Sequence, residues 1–215
     1  MSPNSAKHPD RIGIYGGTFD PPHLGHLILA ETAAGALNLA RVLFVPAAQP
    51  PHKAPGDIRT PAHHRLAMVE RAVAGNPRFA LSRADMDRPG PHYSVDMLRL
   101  LRREFPEPEF VFLIGADSLD ELPTWSRPLE LLALAWLGVM RRPGATPDLQ
   151  HLERTLPGLT ERVLWVDAPE IGISATGTAE RVATGRSIRY LTPDAVCDYI
   201  EENKLYRKSE HGTAT

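Results

Sequence analysis

The sequence has one cysteine, Cys197. No internal disulfide can form, so cysteine usage gives no sign of an oxidising compartment. Excess charge is missing too: 24 Lys and Arg stand against 26 Asp and Glu, a formal net charge of −2. A protein that grips nucleic acid mainly through phosphates needs a basic surplus. No nucleic-acid partner is therefore expected, and any cationic site must be local. Long apolar runs are also absent. The longest, Leu129 to Met140, is too short to cross a bilayer unaided, and residues 1–11 are polar, without the apolar centre of a secretion signal. The expectation is a cytoplasmic chain that does not enter a membrane. Two nucleotide fingerprints do not occur: G-x-G-x-x-G after the first strand, and G-x-x-x-x-G-K-[ST] anywhere. Their absence argues against a dinucleotide-dependent dehydrogenase and a P-loop ATPase.

What is present suits a folded enzyme-sized domain. Of 215 residues, 42% are hydrophobic and 23% charged, ordinary values for a chain that buries a core. The 21 prolines are about twice the usual share of roughly 5% and sit largely in connections, such as 46–61 and 89–91. Short β-branched runs alternate with amphipathic stretches. Strands are predicted over 11–15, 41–45, 78–83, 110–114, 134–140 and 163–166. Helices are predicted over 24–37, 63–74, 94–105 and 128–132, with two more after the last strand, the second starting at Thr192-Pro193. Leu24, Leu27 and Ile28 are expected on the buried face of the first helix, Ser94 as an N-cap, and Trp136 and Trp165 in the core. Nearly continuous apolar strands alternating with helices imply an α/β fold with a doubly wound parallel sheet, covered on both faces, in a single domain. That domain is expected over 11–207, with tails at 1–10 and 208–215. Ligands in such sheets bind beyond the carboxyl ends of the strands.

Beyond the first strand comes Gly16-Gly17-Thr18-Phe19-Asp20-Pro21-Pro22-His23-Leu24-Gly25-His26. Glycines allow close approach of backbone to a ligand. A helix N-terminus offers free N–H groups and a positive dipole end, both favourable to phosphate. His23 and His26, three apart, add imidazole donors on one side of that end. Plainer readings compete: a zinc pair lacking a third ligand nearby, ordinary satisfied histidines, or glycines that only make a turn.

GGTFDPPHLGH resembles the signature of the HxGH nucleotidyltransferases. Further segments resemble the bacterial nicotinate-nucleotide adenylyltransferase family over nearly the whole chain: PPHK at 50–53, HYSVD at 92–96, IGADSL at 114–119 with Trp125, MRRPG at 140–144, and RSIRYLTP at 186–193. The resemblance implies a Rossmann-like nucleotidyltransferase fold and a reaction: ATP and nicotinate mononucleotide give nicotinate adenine dinucleotide and pyrophosphate, a step of NAD biosynthesis. It implies His23, His26 and Lys53 as catalytic groups. ATP would meet Gly16, Gly17, Thr18, Phe19, Asp20, Gly115, Asp117, Ser118, Ser174 and Thr176. Nicotinate mononucleotide would meet Lys53, Tyr93, Ser94, Trp125 and Arg141. Mg²⁺ would be held mainly by ATP phosphates, with no protein ligand named. Each assignment has a plainer counterpart: a solvated lysine, helix caps at Asp117 and Ser174, a core tryptophan.

The chain departs from the family pattern at one place. Where the pattern reads ISSTxIR, this sequence reads Ile173-Ser174-Ala175-Thr176-Gly177-Thr178-Ala179, so the arginine expected at the ATP phosphates is Ala179. Arg181, Arg186 and Arg189 are the candidate replacements. Two alternatives stay open: another HxGH transferase of the phosphopantetheine adenylyltransferase kind, and a nucleotide-binding sensor without catalysis. Homo-oligomerisation also stays open.

Overall fold

The computed structural model describes residues 10–50, 53, 56–141, 144 and 146–207. Six parallel strands form one sheet in the order β3-β2-β1-β4-β5-β6. They are β1 (Arg11–Gly17), β2 (Leu39–Pro46), β3 (Phe79–Leu81), β4 (Glu109–Gly115), β5 (Trp136–Met140) and β6 (Val163–Val166). The helices are α1 (Leu24–Ala36), α2 (Ala62–Val73), α3 (Ser94–Glu104), α4 (Ala116–Glu121), α5 (Pro128–Leu134), α6 (Leu149–Thr155), α7 (Leu159–Arg162), α8 (Ala175–Ala183) and α9 (Asp194–Glu202). None of the helices among the described residues is long and apolar enough to span a membrane.

Side chains alternate along each strand, and the two faces build two cores. Ile12, Ile14, Phe110, Phe112 and Ile114 pack with Leu98 and Leu101 of α3, Leu119 of α4 and Leu131 of α5. Tyr15, Val42, Phe44, Val111 and Leu113 pack with α1 and α2 on the other face. The face of α1 that meets the sheet carries Gly25, Ala30, Ala33 and Ala34. The predicted apolar face differs here: Leu24 and Leu27 are only half-buried and Ile28 is exposed. Small side chains let the helix lie close to the strands, and the larger ones are turned aside. A third, smaller cluster seats α9 on α2 through Met68, Ile188, Val196 and Ile200.

The predicted strand positions hold, with ends shifted by at most two residues. Three cap and burial expectations change. Tyr93, not Ser94, precedes α3, and Ser94 is its first residue. Pro193, not Thr192, precedes α9; Thr192 is buried and its hydroxyl donates to the Pro22 carbonyl at 2.9 Å. Trp136 and Trp165 are half-buried near the sheet edge, beneath the guanidinium groups of Arg162 and Arg141 respectively.

Strand order reverses between β1 and β4, the two central strands. Their paired register ends at Ile14–Phe112, although β1 runs on to Gly17 beside β2 and β4 runs to Gly115. The strands separate at their carboxyl ends, which is where an open α/β sheet makes its ligand crevice.

Candidate active site

His23 and His26 stand at this crevice. His23 is the N-cap of α1, in extended conformation, and His26 is the third helical residue. Their rings stack with centroids 3.7 Å apart and planes inclined by 26°. The His23 backbone N–H donates to His26 Nδ1 at 3.1 Å. An imidazole nitrogen that accepts carries no proton, so the neutral ring keeps its hydrogen on Nε2 as a donor. Phe19 and Tyr15 present their rings to His26 at 5.0 and 6.1 Å. The His26 ring is thus held by a backbone donor, a stacked partner and two aromatic neighbours.

Gly25 is required between the two histidines. A Cβ there would lie 2.9 Å from the His23 ring, so the ring would have to shift, and 3.4 Å from Ile171, an ordinary contact. The contact also shows that the segment leading into α8 runs beside this corner. At the start of α8, Ser174 is the N-cap and its Oγ accepts from the Gly177 N–H at 3.0 Å. The capping role is what the structure shows, and the Ser174 hydroxyl keeps its own proton to donate. Thr176 is exposed in the first turn.

Several predicted ATP contacts have protein-facing roles. Gly16 and Gly17 finish β1, and the Gly17 carbonyl accepts from Ala47 N–H at 2.9 Å. The Phe19 side chain is core. Asp20 is 6% exposed. Its Oδ2 accepts from the N–H groups of Arg59 (2.7 Å) and Thr60 (3.3 Å), and its Oδ1 from the Tyr206 hydroxyl at 2.6 Å. Gly115 is the N-cap of α4, so Asp117 is an exposed first-turn acid rather than the cap, where it complements the helix dipole. Ser118 follows it, half-buried.

Sequence reasoning missed Arg65. It is only 1% exposed, and it donates to four carbonyls: Thr18 (2.8 Å), Ala47 (2.6 Å), Ala48 (2.8 Å) and Thr60 (3.2 Å). These carbonyls come from the β1–α1 loop and from both ends of the β2–α2 loop. Burial lowers the pKa of the guanidinium, while Asp20 and Tyr206 oppose that shift. Burial, reinforced by the Asp20 charge and hydrogen bond, pushes the Tyr206 phenol well up, so it remains a donor to Asp20. No motif signals Arg65, because a helical arginine reads as a solvated face unless its carbonyl partners are known.

Lys53 is exposed in the β2–α2 loop, and its N–H donates to the Pro50 carbonyl at 3.1 Å. Pro51 and His52 of the PPHK segment, and Arg142 and Pro143 of MRRPG, lie outside the described residues. Trp125 is half-buried, edge-on to Phe112 at 6.1 Å, at the end of a short 3₁₀ turn, Leu122–Thr124. Phe112 is also the side chain nearest Gly16, 3.6 Å from where its Cβ would be, so one ring links Trp125 to the crevice. Arg141 is drawn toward β6: its guanidinium lies 4.5 Å over Trp165 and 3.2 Å from Asp167. Ala179 is buried. Of the three arginines considered in its place, Arg181 donates to Ser187 O at 2.7 Å and Arg186 to Thr184 Oγ1 at 3.0 Å, while Arg189 lies 5.6 Å over the Tyr190 ring.

Comparison with known proteins fits this architecture. The cytidylyltransferase-like family model matches residues 14–181. A Thermomicrobium roseum protein named probable nicotinate-nucleotide adenylyltransferase is 53% identical, over 93% of each chain. A Thermus thermophilus protein of the same name is 47% identical over 92% of this chain and all of its own. The chain belongs to the nicotinate-nucleotide adenylyltransferase family. Among solved structures, Plasmodium falciparum nicotinic acid mononucleotide adenylyltransferase complexed with NaAD superposes with a TM-score of 0.72 at 18% identity, covering 92% of this chain and 97% of its own. That likeness shows the fold.

Proposed function

We propose that this chain transfers the AMP moiety of ATP to nicotinate mononucleotide, forming nicotinate adenine dinucleotide and releasing pyrophosphate in NAD biosynthesis. The observation that carries the reading beyond family membership is the stacked His23–His26 pair at the start of α1, with His26 Nδ1 fixed by the His23 N–H. A mononucleotide phosphate, with a second pKa near ~6, is already an anionic nucleophile at pH 7. It needs no general base. Its oxygen attacks the α-phosphorus of ATP, the bond from that phosphorus to the bridging oxygen breaks, and pyrophosphate leaves with the electron pair.

The remaining work is to bring two anions together and to stabilise charge on the transferring group. His26 donates to the α-phosphoryl oxygens, His23 and the N–H groups of α1 hold the neighbouring phosphates, and Lys53 balances the attacking phosphate. Ser174, Thr176 and Asp117 meet the ATP. Trp125 stacks on the pyridine ring, and the first turn of α3 at Tyr93 and Ser94 receives the nicotinate carboxylate. Mg²⁺ would be held mainly by the ATP phosphates and would screen their charge: His23, His26 and Lys53 offer nitrogen donors, whereas Mg²⁺ takes oxygen ligands. Dependence on ATP and an unpaired thiol suit the cytoplasm.

The test is pyrophosphate release with ATP and, in parallel, nicotinate mononucleotide, nicotinamide mononucleotide or phosphopantetheine. Turnover strongest with nicotinate mononucleotide is expected. Preference for phosphopantetheine contradicts the substrate assignment. Nucleotide binding without any turnover favours the non-catalytic sensor.

A further inference from the structure

One buried histidine joins the two loops that this reading sets around nicotinate mononucleotide. His92 is 7% exposed and lies directly before Tyr93, the cap of α3. Its Nε2 is 3.2 Å from the Arg88 carbonyl. Its Nδ1 is 3.2 Å from the Gln49 backbone nitrogen and 3.1 Å from the Gln49 carbonyl. Since a carbonyl can only accept, Nε2 carries a proton. The neutral ring then accepts from Gln49 N–H, and a charged ring would donate to Gln49 C=O. In both forms it is tied to the same residue, Gln49.

Gln49 occupies a pivotal place in the β2–α2 loop. The residue before it, Ala48, has its carbonyl held by Arg65, and the residue after it, Pro50, accepts the Lys53 N–H. On the other side the 85–93 segment is locked from within. Arg88 binds Asp85 through Nε at 2.8 Å and through a terminal nitrogen at 2.5 Å, and reaches the carbonyls of Pro91 (2.9 Å) and Tyr93 (3.3 Å). Space for the ring is provided by Gly90, where a Cβ would stand 3.2 Å from it. A polar ring is seldom buried unless its hydrogen bonds are met. Here they are met by Arg88 in its own segment and by Gln49, 43 residues away.

We propose that His92 is a positioning residue for the mononucleotide: through Gln49 it sets the Lys53 loop relative to the first turn of α3. This rests on the assignment of Lys53 to the phosphate and of Tyr93-Ser94 to the nicotinate carboxylate. A ligand that bridges two loops binds more weakly when it must first order them. The His92 tether removes that ordering cost before the ligand arrives.

Steady-state kinetics of three variants test the idea. An asparagine amide can stand where Nδ1 stands and keep the Gln49 link. A glutamine amide reaches the Nε2 position and keeps only the Arg88 link. His92→Leu and His92→Gln are expected to raise KM for nicotinate mononucleotide about tenfold, the scale of one lost buried hydrogen bond. KM for ATP should change less than about twofold, with kcat largely retained. His92→Asn should restore most of the loss. Equal KM values for the Asn and Gln variants, or parallel rises in both substrates' KM, overturn the proposal. Should the Leu variant fail to fold, the Asn–Gln contrast still decides. The wild type is the control: if it makes no nicotinate adenine dinucleotide, the underlying reading has failed, whereas normal wild-type turnover with unmoved variant KM values refutes only the role of His92.

Discussion

From Gly16 to His26 the proposed triphosphate corner is one unbroken stretch of chain, whereas the proposed mononucleotide rim draws on Lys53, Tyr93-Ser94 and Trp125, which lie far apart in the sequence. The first region is positioned largely by its own neighbours: a backbone N–H three residues away, a stacked histidine, and Phe19 four residues before the cap. The second is positioned at long range, by Arg65 across the β2–α2 loop and by His92 across 43 residues. Local scaffolds leave a motif in the sequence, and distant ones do not. The two regions also share a base. Arg65 holds Thr18 of one and Ala47 and Ala48 of the other, and Asp20 joins the corner to Tyr206 near the C-terminus.

The strongest way to break the contrast is to remove that shared base. Arg65→Met removes the shared donor of one buried and three part-buried carbonyls and should cost about 3 kcal/mol of stability. Thermal unfolding measures this. A variant as stable as the parent would mean that the loops hold themselves. Next is Gly25→Ala, which acts on the corner alone. Its Cβ would press on the His23 ring, and a displacement of even 1 Å near the chemistry costs on the order of 10²-fold. Turnover should fall by about ten- to a hundredfold while the melting temperature stays within a degree or two of the parent. If activity is retained, the spacing of the two rings is not critical.

Tyr206→Phe comes third. It strips one donor from buried Asp20 and should cost about 1–3 kcal/mol, read by urea denaturation. No change would show that Arg59 and Thr60 suffice. The smallest effect concerns the α2–α9 contact, away from both regions. His64 Nδ1 lies 2.8 Å from Tyr199 Oη. Burial first, and His63 second, hold His64 below its ordinary value of 6.5. The folded state therefore binds fewer protons than the unfolded one, so stability is lost as pH falls from 6.5 through the lower folded value. Between pH 7.5 and 5, the melting temperature of the parent should drop further than that of His64→Gln. Equal drops would remove His64 from the account.

The same contrast explains what could be read from sequence. The parallel sheet was legible because runs such as Phe110–Ile114 are apolar on both faces, and its crevice because the glycines and histidines follow β1 directly. Helices α6 and α7, of seven and four residues, were not legible: two turns or fewer carry little periodicity, and neither has the proline at its first position that marks the equally short α5. The alanine face of α1 misled the hydrophobic pattern, because Ile28 is apolar yet exposed. Asp20 was visible as part of the motif, but not its partner, since Tyr206 lies 186 residues away. Arg65 and His92 look like surface residues until the loops they bind are placed in space. Ala179 was legible as a departure from the motif, and in α8 it is buried.

The central claim is that the His23–His26 couple stabilises the transferring phosphoryl group. Single-turnover formation of nicotinate adenine dinucleotide by His26→Ala, at saturating ATP and nicotinate mononucleotide, tests it most directly. A fall of about 10²–10³-fold in rate, the cost of losing one well-placed donor, is expected with an unchanged melting temperature. A variant that forms product at the parent rate would contradict the account.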